Sequence, residues 1–65
     1  MRLKTYSSRE VIKLLEKNGW YLIRVKGDHC QYTNGHNLTT ITHPKKSIPI
    51  GTLKAIEKQT GIKFI

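Results

Sequence analysis

The sequence predicts an α+β domain with the order α-β-β-β-α: a three-stranded antiparallel sheet with two helices on one face. Three observations carry that expectation. A capped amphipathic segment opens the chain. Three short stretches rich in aromatic and β-branched residues follow, with turn signals between them. A second helical segment closes it. Sequential strands joined by short turns pair antiparallel, and two helices can cover one face of such a sheet. A chain of 65 residues has room for one domain, residues 1–65, with one compact core.

The first helix is announced by Ser7-Ser8-Arg9-Glu10. Ser7 can cap the helix and Glu10 can reach back, which is a capping box; Tyr6 and Val11 flank it as a hydrophobic staple. Val11, Ile12, Leu14 and Leu15 share one helical face, and Arg9, Lys13, Glu16 and Lys17 share the other. Asn18-Gly19 ends the helix, with Gly19 suited to the left-handed position after it.

Trp20 to Lys26 reads as the first strand. Strict alternation puts Trp20, Leu22, Arg24 and Lys26 on one face and Tyr21, Ile23 and Val25 on the other. Both faces carry apolar groups, so alternation alone does not name the buried one. Gly27-Asp28 makes a turn into a second strand, His29 to Thr33, with Cys30 and Tyr32 on one face and His29, Gln31 and Thr33 on the other. Asn34-Gly35 is a hairpin signal, and Leu38 to Thr42 makes the third strand. His43-Pro44-Lys45-Lys46-Ser47 is a loop. The second helix begins near Gly51-Thr52. Its inner face holds Leu53 and Ile56 with Ala55 beside them, while Lys54 and Lys58 lie outside. Gly61 stops it, Ile62 folds back on the last turn, and Phe64 and Ile65 return to the core.

Charge is the strongest compositional signal. Twelve Lys and Arg face four Asp and Glu, a net charge of +8 spread along the whole chain. The resulting positive field favours nucleic acid or an acidic protein as partner. Several classes are set aside. There is no space for a separate cofactor domain. Cys30 is the only cysteine, so no internal disulfide forms. No apolar run approaches the roughly 20 residues that span a bilayer, and the expectation is a soluble, cytoplasmic protein. Cys30, His29, His36 and His43 lack the paired spacings of structural zinc sites, so no metal and no cofactor are expected. The element order supplies no helix-turn-helix pair for DNA.

One stretch stands out: Val25-Lys26-Gly27-Asp28-His29-Cys30-Gln31-Tyr32 sets an imidazole at the mouth of a hairpin. Taken alone, a histidine at a strand start is more often a satisfied polar residue than a catalyst. The wider sequence resembles the HicA family of toxin ribonucleases. The similarity runs through the helix SREVIKLLEKNGW, the hairpin RVKGDHCQY, the segment ITHPKK and the closing IPIGTLKAIEKQTG. It implies a double-stranded-RNA-binding-domain-like fold and cleavage of messenger RNA by a histidine just after the Lys-Gly turn, here His29. It also implies a HicB-like antitoxin as partner, with operator DNA reached only through the antitoxin complex. The family's usual Gly-Ser-His-His reads Gly27-Asp28-His29-Cys30 in this chain, which brings a carboxylate beside the phosphate site.

The residue types suit that chemistry. RNA carries its own nucleophile, the 2′-hydroxyl, and needs a base and charge stabilisation at the phosphate. His29 is the natural base, because imidazole titrates near neutral pH. Arg24 and Lys26 precede the turn and can hold a phosphate, Arg24 as a two-pronged donor and Lys26 as a compact charge. Lys45 and Lys46 can add loop contacts, and Tyr21 or Tyr32 can stack a base. His43 can act as the acid only if folding brings it beside His29. His36 reads as solvated and Cys30 as a small buried hydrophobe. Two alternatives use the same residues: a non-catalytic RNA-binding module, and an inactive toxin relic kept for partner binding.

Overall fold

The computed structural model describes residues 5–64, and Ile65 lies outside them. The element order is α1 (Ser8–Lys17), β1 (Tyr21–Lys26), β2 (His29–Thr33), β3 (Leu38–Thr42) and α2 (Ile50–Thr60). This is the α-β-β-β-α order expected. The strands form one antiparallel sheet in the order β1-β2-β3.

The capping box at the start of α1 is present in full. The Glu10 amide donates to Ser7 Oγ and the Ser7 amide donates to a Glu10 carboxylate oxygen. Val11 and Leu15 are buried on the inner face, with Ile12 and Leu14 packed beside them. Asn18 caps the far end and Gly19 takes a positive φ of 88°. Between β1 and β2 the chain reverses in two residues. The positive φ falls on Gly27, the position a type II′ hairpin turn reserves for glycine. The β2–β3 loop is wider than the Asn34-Gly35 signal alone suggests. It takes in residues 34–37, and Asn34 Oδ1 accepts from the amides of His36 and Asn37.

The helices pack on one face of the sheet, over β3 and β2. Cys30, Tyr32, Thr39 and Ile41 point into the core, where they meet Val11, Leu15, Trp20, Ile48, Leu53, Ile56 and Phe64. Tyr6 closes one end by donating its hydroxyl to the Phe64 carbonyl at 2.9 Å. Buried Thr39 donates to Gln59 Oε1 at 2.7 Å, which satisfies the one polar side chain that β3 turns inward. Ala55, expected beside the inner face of α2, is exposed.

β1 departs from strict alternation. Leu22 pairs with Tyr32, but Arg24 pairs with Gln31, so Ile23 is an extra residue in a β-bulge. The bulge shifts the later half of the strand by one position. Leu22 and Val25 now share the covered face with Tyr32 and Cys30, while Arg24 and Lys26 share the open face with Gln31 and His29. The alternation expected from sequence, with Leu22 beside Arg24 and Lys26, is therefore replaced.

Candidate active site

The open face of the sheet is an array of directly opposed residues. One row is Lys26, His29 and Thr42; the next is Arg24, Gln31 and Thr40; the last is Tyr21, Thr33 and Leu38. Arg24, Lys26, His29, Gln31 and Thr40 line a shallow depression of about 390 Å³. Two of its five lining residues are basic and one is a histidine. The bulge is what assembles it, because without the extra residue Arg24 could not fall opposite Gln31 on this face.

His29 stands at the first position of β2, with its side chain 62% exposed. Its Nδ1 lies 3.9 Å from Asp28 Oδ1, longer than a hydrogen bond, and the two side chains are equally open to water. Such a contact is weak and leaves the ring free to turn toward a ligand.

The turn that carries Asp28 is fastened from behind. The His43 amide donates to the Asp28 carbonyl at 2.8 Å. His43 Nδ1 lies 2.7 Å from Ser8 Oγ, and that oxygen also accepts from the Lys45 amide at 2.9 Å. The Ser8 amide donates to the Lys45 carbonyl at 2.8 Å. Ser8 is buried at the first turn of α1. Its hydroxyl thus joins two groups of the loop, the Lys45 amide and the His43 ring. A continuous set of hydrogen bonds thus runs from α1 through His43 to the hairpin turn. The place of His43 before Pro44 already suggests a structural residue that pins the loop; its partner Ser8, 35 positions away, is not visible in sequence.

The other predicted residues divide. Tyr21 is exposed on the open face, in the row beyond Arg24. Tyr32 is buried, and removal from water raises its phenol above the ordinary value of 10.0. Lys45 and Lys46 do not line the His29 depression. They line a separate groove with Ser7, Ser8, Arg9, His43 and Pro44 at the start of α1. His43 lines that groove, its Nδ1 meets Ser8, and it is not among the residues that line the His29 depression. Cys30 is buried and His36 is exposed in its turn. Among the described residues, no three His, Cys, Asp or Glu side chains converge as a metal-binding group.

Fold and site together define a class: a small basic α+β domain with an exposed histidine set among cations on an open sheet face. Residues 8–62 of the chain match the family model of the HicA toxin of bacterial toxin–antitoxin systems, and the chain belongs to that family. No curated protein matches it significantly. Membership makes it the toxin of a toxin–antitoxin system, with a cognate antitoxin as its partner. Among the described residues no helix is long and apolar enough to cross a membrane.

Proposed function

We propose that the protein is a metal-independent endoribonuclease that cleaves messenger RNA and so blocks translation, with His29 as general base. The observation that carries this reading is the single depression shared by His29, Arg24 and Lys26. His29 accepts the proton of the ribose 2′-hydroxyl, and the 2′-oxygen attacks the adjacent phosphorus. The bond to the 5′-oxygen breaks, leaving a 2′,3′-cyclic phosphate and a 5′-hydroxyl. Water protonates the leaving oxygen, as the openness of the site permits. Arg24 and Lys26 neutralise the charge that builds on the phosphate. Tyr21 offers an exposed ring for a neighbouring base on the same face. Lys45 and Lys46 contact the RNA backbone farther along, in the groove beside α1. The antitoxin is HicB-like and the complex acts in the cytoplasm.

Expression in growing cells tests the reading. The wild-type chain arrests growth and depletes messenger RNA, and a folded His29→Ala variant does neither. Arrest by that variant would remove His29 from the mechanism. A second reading draws on Asp28, whose carboxylate stands 3.9 Å from the His29 ring and opposes an incoming phosphate. In that reading the chain is a disabled toxin, inert as it stands and toxic as Asp28→Ser.

A further inference from the structure

β1 carries an apolar face, Leu22 and Val25, that neither the core nor the RNA site uses. Two rows of the covered face run from β3 through β2 to β1. Exposure rises along the first from Ile41 at 1% through Cys30 at 8% to Val25 at 56%. It rises along the second from Thr39 at 2% through Tyr32 at 5% to Leu22 at 47%. The helical cover therefore ends before β1. Ile23 in the bulge is exposed as well, and among the described residues β1 is an edge strand whose outer backbone pairs with no other strand. The strand thus offers aliphatic side chains on one face, Arg24 and Lys26 on the other, and an edge that no other described strand pairs.

We propose that β1 is the docking edge for the cognate antitoxin, which adds an extended segment to the sheet as a fourth strand. The chemistry of β1 specifies that segment. Its residues on the covered side are apolar and extend the rows of Leu22 and Val25. Its residues on the open side are acidic and meet Arg24 and Lys26. A strand in that position also hangs acidic side chains over the His29 depression, so one contact both binds and inhibits. Other occupants fit less well. A second copy would bring two bodies of charge +8 together edge to edge, with like charges on the same face. RNA gains nothing from aliphatic side chains and cannot complete a backbone ladder. The proposal rests on the family's antitoxin partnership and stands whether or not the free chain cleaves RNA.

The test is hydrogen exchange on the free toxin and on the toxin purified with its cognate antitoxin, together with the double substitution Leu22→Thr, Val25→Thr. Threonine keeps strand propensity while removing the apolar surface. Amides within residues 21–26 gain protection in the complex, and the double variant binds antitoxin about ten-fold more weakly or worse. Circular dichroism and thermal unfolding of the free variant confirm that it remains folded. Protection confined to α2 or to the groove beside α1, with antitoxin affinity unchanged, would overturn the proposal. So would dimerisation of the free toxin that the double variant abolishes while antitoxin binding survives, since the edge would then belong to a second copy.

Discussion

β1 and β3 are the two edges of one sheet, and they are buried in the opposite order to their hydrophobicity. β3, Leu-Thr-Thr-Ile-Thr, has two aliphatic residues, yet its Thr39 and Ile41 are buried. β1, Tyr-Leu-Ile-Arg-Val-Lys, has four large apolar residues and buries none. The helices make the difference, because both pack against β3 and their cover fades toward β1. Hydrophobicity in a strand thus records what must be covered, not what this chain covers by itself. The closed core lies on the β3 side, while β1 leaves its apolar residues exposed.

The strongest way to break this comparison is to cut the same chemistry from both edges. Ile41→Ala leaves a cavity in a closed core and should cost about 2–5 kcal/mol, read as a fall in the urea midpoint. Val25→Ala, on the exposed edge, should stay within about 0.5 kcal/mol of wild type. Equal losses at both positions would mean that β1 is as much a part of the core as β3.

Next in size is Ser8→Ala. The variant removes a buried hydroxyl and strands the Lys45 amide and the His43 ring that meet on it. A loss of about 1–3 kcal/mol is expected. The His43 amide, which bonds the hairpin turn, should also exchange faster. A loss of stability with His43 still protected would uncouple α1 from the turn.

Much of this was legible in sequence and some was not, for physical reasons. Ser7 and Glu10 announced the start of α1 because a capping box is local. The limits of β2 and β3 were legible because turn residues bracket both strands. The bulge was not, because Ile23 is an ordinary strand residue with no glycine to mark a slip. With apolar groups on both faces of β1, either register satisfied the pattern. The site depended on that slip, since it aligns Arg24 with Gln31 and Lys26 with His29. The separation of Lys45 and Lys46 from His29 depended on a loop path that His43, legible as a loop-pinning residue before Pro44, fixes through Ser8, a distant partner that no local pattern encodes.

The two faces of the sheet differ in charge, and this gives a smaller effect. Replacing Arg24 or Lys26 by Ala should weaken RNA binding across sequences and lower the salt slope by about one each. Lys54→Ala, on the exposed side of α2, should leave the slope unchanged. Binding titrations at several salt concentrations read this directly, and an equal effect at Lys54 would spread the RNA surface over the whole molecule.

The smallest effect lies at high pH, on the covered face. Burial raises the Tyr32 phenol above 10.0, so the folded state holds that proton longer than the unfolded chain does. The contribution is present in full below pH 10.0 and is lost as pH rises above it toward the folded value. Wild type should therefore lose more stability than Tyr32→Phe over that range, measured by denaturation at matched pH. Parallel curves would mean that Tyr32 titrates as it does in the unfolded chain.

The central claim is that His29, set among Arg24 and Lys26 on the open face, cleaves RNA without a metal. Its most direct test is incubation of purified protein with RNA in excess EDTA, beside a folded His29→Ala variant, with analysis of the RNA ends. The account predicts fragments ending in 2′,3′-cyclic phosphate from the wild-type chain and intact RNA from the variant. Salt-dependent RNA binding by both proteins with cleavage by neither would contradict it.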